Sequence, residues 1–280
     1  KLTCALEQEN KCFVSIARSI SKSSDMVVTN HALLLADSKG EGGLFNESKH
    51  LIIDEAHNIE REATLQHTEI ITESQLRNFF NSFQEDGRLF SIIRTYFNSL
   101  GAGNIEQEVK NKLQDALDKS TEGLEVCNNF IEVLGSLESF IKKGSDNGES
   151  VTRVPQSISL HESWTTVSES VISMEAILGT FKGILEDFEA LSDDLYRSEI
   201  NLVLNNQMSK VDKFLQHLNL IFNTDRENHV VWFSRSSDSG IGLHYAPLDV
   251  SKVLHDDSVS YTHLRAHETD SYLVCRLLLE

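Results

Sequence analysis

Long stripes of apolar residues at helical spacing fill the middle of the chain, between residues 73 and 223. Each stripe repeats every three to four residues, which is the spacing of a helix that buries one face. Breaks that contain glycine fall at residues 101–103 and 144–151. The pattern therefore predicts an inserted, all-helical domain. Its core-facing positions are Leu76, Phe79, Phe80, Phe83, Val109, Leu113, Leu117, Leu124, Ile131, Leu134, Leu137, Val167, Val171, Met174, Ile177, Leu178, Phe181, Ile184, Phe188, Leu202, Leu204, Met208, Val211, Phe214, Leu215, Leu218 and Ile221.

Short apolar runs on either side of this helical region predict strands. Residues 26–28 and 51–53 are apolar without alternation, which is typical of strands buried on both faces of a parallel sheet. Residues 229–234 and 242–246 are joined by a stretch rich in serine, aspartate and glycine, which predicts a hairpin. Within that hairpin we favour a core position for Trp232 over a base-stacking role.

Two carboxylates, Asp54 and Glu55, directly follow the apolar run at 51–53. Ligands of open α/β sheets bind at the carboxyl ends of the strands, so a metal and a nucleotide are expected here. Mg²⁺ takes oxygen ligands and keeps most of its waters, so one carboxylate plus phosphates suffices, and a second carboxylate can activate the attacking water. The alternative interpretation is structural, because acidic residues also stabilise the start of a helix.

Two segments, DMVVTNHALLLAD at residues 25–37 and HLIIDEAHNIE at residues 50–60, together resemble the DinG/XPD-type (Rad3-like) DNA helicases of superfamily 2. The resemblance implies a motor of two RecA-like domains that uses ATP and Mg²⁺ and moves 5′ to 3′ on single-stranded DNA. It also implies roles for three residues. Asp54 would help to hold Mg²⁺, Glu55 would activate the hydrolytic water, and His57 would link the nucleotide site to the DNA-contacting parts.

The same resemblance gives the expected fold class, α/β with a partial RecA-like motor domain and a large all-helical insertion. In this family the insertion after the Asp-Glu-Ala-His motif is called the Arch, and with an iron–sulfur domain it encloses a passage for one DNA strand. The expected segments are residues 1–24 (remnant of the iron–sulfur region and a helix), 25–70 (first part of the motor domain), 71–225 (Arch-like insertion), 226–257 (return to the motor domain) and 258–280 (non-native tail).

The four cysteines, Cys4, Cys12, Cys127 and Cys275, are too few and too scattered for a disulfide framework. Many members of the resembled family hold a [4Fe–4S] cluster just upstream of this region, and thiolates are the ligands that such a cluster requires. The resemblance makes Cys12 and Cys4 candidate ligands, with the alternative that this lineage has lost the cluster. Cys127 is interpreted as a small buried hydrophobic residue of a helix.

The formal net charge of −18 argues against a simple nucleic-acid binder. Phosphate contacts need lysine and arginine, and a free DNA-binding domain is usually basic. We therefore expect weak DNA binding by this piece alone and a narrow positive track in the whole motor. No apolar run approaches the roughly 20 residues that cross a bilayer, so a cytoplasmic protein is expected. The resemblance implies in addition a bacterial protein that acts as a monomer.

The expected function is that of an internal fragment of an ATP-dependent DNA helicase in DNA repair or replication. The 280 residues contain no Gly-x-x-x-x-Gly-Lys-Ser/Thr phosphate-binding loop, so the fragment itself should be inactive. One alternative is a helicase–exonuclease fusion of the same family. The other is an acidic helical interaction module in which Asp-Glu-Ala-His is incidental. A phosphate-binding loop upstream of Lys1 would favour the motor over the interaction module.

The resemblance ends after Asp257, and residues 258–280 look like translated sequencing-adapter sequence. His263 and His267 have the spacing of a metal pair on a helix. We discount both histidines, and Cys275 with them, as parts of this tail.

Deletion of residues 258–280 should leave the melting temperature of the chain unchanged or raise it. A tail without evolved packing contributes only exposed apolar surface, here mainly leucines near the C-terminus. Thermal unfolding followed by circular dichroism, with and without the tail, measures the effect. A loss of several degrees on deletion would identify the tail as genuine protein.

Overall fold

A computed structural model describes residues 12–39, 45, 50–99, 105–143, 151–155, 157–158, 161–192, 200–223 and 228–251. These residues form two compact units. One contains the described residues up to Thr68 together with those from Ala246 onward, and the other runs from Glu69 to Tyr245. Cys4, Cys275 and the tail at 258–280 lie outside the described residues, so the predictions made for them stay predictions.

Helices make up most of the described chain, and short strands and irregular segments lie between them. The elements in chain order are α1 (Phe13–Lys22), α2 (His31–Lys39), a 3₁₀ turn (Ala56–Asn58), α3 (Ile59–Gln66), β1 (Glu69–Thr72), α4 (Glu73–Asn81), α5 (Arg88–Ser99), α6 (Ile105–Lys143), β2 (Val151–Arg153), α7 (Glu162–Ser192), α8 (Ile200–Asn223), β3 (His229–Ser236) and β4 (Gly240–Pro247). Helices α4, α6, α7 and α8 confirm the apolar stripes predicted for the middle of the chain. Helix α5 lies where no stripe was predicted, and β2 shows that the region is not all-helical as predicted. None of the described helices is both long enough and apolar enough to span a membrane.

Phenylalanine rings at the centre of the larger unit join its helices. Phe79 on α4 makes edge-to-face contacts with Phe80, Phe83 and Phe181, with ring centroids 5.2, 5.5 and 5.5 Å apart. Such pairs contribute about 0.5–1.5 kcal/mol beyond the burial of their area. Because Phe181 lies on α7, which packs against both α6 and α8, the predicted apolar stripes share one core.

A capping box fixes the start of α4. The Thr72 hydroxyl accepts a hydrogen bond from the Gln75 backbone N–H at 3.2 Å, and the Thr72 backbone N–H donates to the Gln75 side chain at 3.0 Å. The two bonds satisfy donors that a helix leaves unpaired at its first turn. They stop β1 at Thr72 and turn the chain directly into the helical unit.

The strands form one antiparallel sheet with the order β1–β4–β3–β2. The β3–β4 hairpin confirms the hairpin prediction, and its inner face joins the helical core through Phe233 and Leu243. β1 pairs with β4 so that Ile71 lies opposite Leu243, and β2 pairs with β3. The sequence did not predict β1 or β2, because four and three residues are too short to display an alternating pattern.

The two predicted parallel strands are absent from the described residues, and this prediction is wrong. Residues 26–28 and 51–53 have no regular secondary structure, and Met26, Val28 and Ile52 are 79%, 90% and 90% exposed. A strand requires hydrogen-bonded neighbours, and within the described ranges every strand belongs to the antiparallel sheet. Helices and a sheet are both present, but a RecA-like motor domain remains a prediction.

The core position predicted for Trp232 is also wrong. Successive side chains of a strand point to opposite faces. Val231 and Phe233 are buried in the helical core, so Trp232 lies on the other face of the sheet, where it is half-buried. Its indole stacks on the His244 ring with the centroids 4.8 Å apart and the planes 11° apart.

The smaller unit has a core of its own. Leu35 of α2, Ala63 of α3 and Val250 are buried together, with Ile59 packed against them. The chain therefore returns to this unit after β4, although the hairpin itself packs on the helices of the larger unit. The assignment of the predicted segments to motor and Arch-like domains stays a prediction.

The substitution Gly123→Ala should destabilise the larger unit, whereas Gly183→Ala should not. A methyl group on Gly123 of α6 would overlap the Phe80 ring, whereas nothing lies within 4 Å of the corresponding position at Gly183 of α7. Overpacking costs about 1–3 kcal/mol, and replacing glycine by alanine inside a helix gains about 1 kcal/mol.

Chemical denaturation of both variants measures the two free energies of unfolding. We expect a decrease of about 1 kcal/mol for Gly123→Ala and a small increase for the matched Gly183→Ala control. Equal changes in both variants would contradict the packing of α6 against α4.

Candidate functional site

Asp54 and Glu55 form a tight turn that leads into the 3₁₀ turn and α3. The Asp54 carboxylate oxygen Oδ1 accepts a hydrogen bond from the Glu55 backbone N–H at 3.0 Å. Glu55 has φ 51° and ψ 47°, which is the left-handed conformation. Among the described residues other than glycine, Glu55 alone has a positive φ. This conformation costs roughly 1–2 kcal/mol for an L-residue with a Cβ. Surrounding contacts must therefore hold the turn in place.

The Glu55 carboxylate pairs with His57 across the turn. His57 Nδ1 lies 3.3 Å from Glu55 Oε2, and the two side chains are 40% and 67% exposed. The backbone N–H of Asn58 donates to the Glu55 carbonyl at 2.9 Å and closes the 3₁₀ turn. The local fold thus brings the predicted acid and histidine together, with both open to solvent.

His31 contacts the same turn from α2, and the sequence pattern did not single it out as a site residue. The Asn30 side chain accepts a hydrogen bond from the backbone N–H of Leu33 at 2.8 Å and so caps the start of α2. His31 Nε2 lies 2.9 Å from the Asp54 carbonyl oxygen. No local signal in the sequence pairs His31 with Asp54, because the two residues lie 23 positions apart and meet only through the packing of the chain.

The turn offers oxygen ligands for a hard cation, but only a few of them. The described residues contain no cluster of three or more histidine, cysteine, aspartate or glutamate side chains placed to hold a metal ion. One exposed carboxylate at Asp54 fits Mg²⁺, which keeps several waters and binds phosphates as well. The turn could therefore hold the metal only together with a bound nucleotide.

The two cysteines among the described residues do not form a complete cluster site. Cys12 precedes α1 and is half-buried, and Cys4 lies outside the described residues. Cys127 is fully buried on α6, and burial raises the pKa of its thiol to about 11, with the Arg77 charge opposing and the Glu73 charge assisting the increase. Since a [4Fe–4S] cluster needs thiolate ligands, Cys127 is excluded and Cys12 remains a candidate for one position.

Comparison with known proteins indicates a distant relation to DinG proteins. No protein-family model matches the chain. The chain is 24% identical over 262 residues to the 3′-5′ exonuclease DinG of Bacillus subtilis, an alignment that covers 87% of this chain and 27% of that protein. It is 42% identical over 50 residues to the ATP-dependent helicase DinG of Mycobacterium tuberculosis, which covers 18% of this chain and 8% of that protein. The chain thus spans a minor part of the length of these relatives.

If Cys12 ligates a cluster, the complete protein purified without oxygen should be brown, and Cys12→Ser should bleach it. Loss of one thiolate ligand destabilises a cluster that needs four. Visible absorption and iron content give the measurement, and Cys127→Ser is the matched control that should keep the colour. A colourless, iron-free protein with full activity would show that this lineage lacks the cluster.

Proposed function

We propose that this chain is part of an ATP-dependent DNA helicase of the DinG type, in which the Asp54–Glu55 turn serves ATP hydrolysis. The observation that carries the proposal is the turn itself. It holds two adjacent carboxylates, one of them paired with His57, in a strained backbone conformation. Residues in strained backbone conformations are concentrated at functional sites. The distant similarity to DinG proteins supports the same conclusion.

Each residue of the turn would have a distinct role. Asp54 would bind Mg²⁺, which would neutralise charge on the ATP phosphates. Glu55 would orient the attacking water and accept its proton. His57 would hold the Glu55 carboxylate through the contact at 3.3 Å. It would also link the nucleotide site to the DNA-contacting parts of the protein. The cations and backbone donors that position the phosphates would come from a phosphate-binding loop, which the 280-residue sequence does not contain.

The chain alone would therefore not hydrolyse ATP, and it would bind DNA weakly. An excess of 43 acidic over 25 basic residues disfavours contact with phosphates. In the complete protein, single-stranded DNA would follow a narrow basic track. The setting would be DNA repair or replication in the bacterial cytoplasm, with the protein acting as a monomer.

A second candidate is a helicase–exonuclease of the same family. The specific observation in its favour is that the Bacillus relative, which aligns with 87% of this chain, carries the name of a 3′-5′ exonuclease. Degradation of end-labelled single-stranded DNA by the complete protein, with and without ATP, separates this candidate from a helicase that only unwinds.

A third candidate is an interaction module built on the acidic helices, and the charge excess is the observation that favours it. In that case Glu55 would merely stabilise the start of α3. Glu60 provides a matched comparison, since it is an exposed acid in the first turn of the same helix. Both would then contribute similarly to stability, about 0.3–1 kcal/mol each.

In the complete protein, Glu55→Gln should lower the kcat of ATP hydrolysis by about 100-fold or more and leave ATP affinity intact, because removal of a general base acts on the transition state. Glu60→Gln should retain the kcat. Steady-state ATPase assays and equilibrium nucleotide binding measure both quantities. Near-normal turnover in Glu55→Gln, or equal small effects of the two substitutions on stability alone, would reject the assignment.

A further inference from the structure

We propose that His31 is a positioning residue for the Asp54–Glu55 turn, an inference that rests on the proposed function. Its Nε2 atom lies 2.9 Å from the Asp54 carbonyl oxygen, across a sequence separation of 23 residues. A carbonyl oxygen only accepts hydrogen bonds, so His31 Nε2 carries a proton and donates it to this bond. The ring therefore has a fixed role at the backbone of the turn.

The bond acts on one particular peptide unit. The Asp54 carbonyl and the Glu55 N–H belong to the same planar peptide group. His31 holds the oxygen end of this group, and the Asp54 side chain holds the N–H end at 3.0 Å. With both ends held, rotation of the group about its flanking bonds requires both hydrogen bonds to break.

That restraint is needed because Glu55 is in a left-handed conformation. Its φ of 51° is relieved most directly by rotation of the peptide group that precedes it, which is the group that His31 holds. Such a rotation would redirect the Glu55 side chain and separate its carboxylate from His57 Nδ1. His31 therefore maintains the direction of the carboxylate that the proposed function assigns to water activation.

The packing of the smaller unit makes His31 a firm anchor. His31 is the first residue of α2, whose start is fixed by the Asn30 cap. α2 packs against α3 through Leu35 and Ala63, and α3 begins directly after the turn. The two ends of the His31–Asp54 bond thus belong to elements that already share a core, so little ordering is required to form it.

The first experiment tests the bond in this 280-residue chain by NMR. Long-range proton–nitrogen spectra should place the proton of the neutral His31 ring on Nε2. His31→Ala should shift the Glu55 amide resonance, and His31→Gln, which keeps an N–H donor at a similar distance from the backbone, should shift it less. His50→Ala is a matched control at an exposed histidine near the turn, and it should leave the Glu55 amide resonance unshifted. A ring protonated only on Nδ1, or equal effects of all three substitutions, would overturn the proposal.

The second experiment tests the consequence in the complete protein. His31→Ala should lower the kcat of ATP hydrolysis about tenfold, roughly the factor that one ordinary hydrogen bond is worth, with the KM for ATP unchanged. His31→Gln should restore most of the kcat. An unchanged kcat in His31→Ala, a raised KM in its place, or no recovery in His31→Gln would each overturn the positioning role. If His31→Ala fails to fold, the kcat and the Glu55 amide of His31→Gln decide the question.

The two proposals fail in distinguishable ways. Full ATPase activity of Glu55→Gln would remove the proposed function, whereas the NMR result would still report whether His31 holds the turn. Full activity of His31→Ala together with an inactive Glu55→Gln would remove only the positioning role.

Discussion

Backbone hydrogen bonding is the constraint that decides which elements the described residues contain. A helix satisfies its own N–H and C=O groups, whereas a strand depends on neighbours supplied by other segments. Helices α4, α6, α7 and α8 accordingly form where their apolar stripes predict them. The apolar runs at 26–28 and 51–53 have no neighbouring strands among the described residues and stay irregular and largely exposed. The β3–β4 hairpin forms because each strand is the other's neighbour.

Burial of aromatic rings then gives the helices their partners. Phe181 of α7 contacts three phenylalanines of the segment that begins with α4, so the apolar stripes predicted at residues 76–83 and 167–188 meet in one cluster. A charged contact extends this core to the sheet, where Arg235 of β3 donates to the nearly fully buried Glu138 of α6 at 2.6 Å. Only the Glu138 side of this contact is buried, since Arg235 is about half exposed, and the charge-assisted hydrogen bond fixes the position of β3 relative to α6.

The candidate site differs from the core, because its side chains are exposed and its backbone is held by hydrogen bonds. Asp54, Glu55 and His57 lie within four consecutive positions, so their proximity requires no long-range fold. Their orientation does require it, since the turn is strained and is held from α2 by His31. The chemical groups of the turn are therefore local in sequence, whereas the hydrogen bond that holds its backbone comes from α2.

The sequence by itself determined the helical unit, the hairpin and the carboxylate pair, because periodicity, turn composition and adjacent residues are local properties. It did not determine β1 and β2, which are too short to display a period, or the outer position of Trp232, which depends on which face of the sheet meets the helices. Only the tertiary structure decided that His31 donates to the Asp54 carbonyl, since that contact joins residues 23 positions apart. Contacts of this kind depend on how helices pack, and no local pattern encodes them.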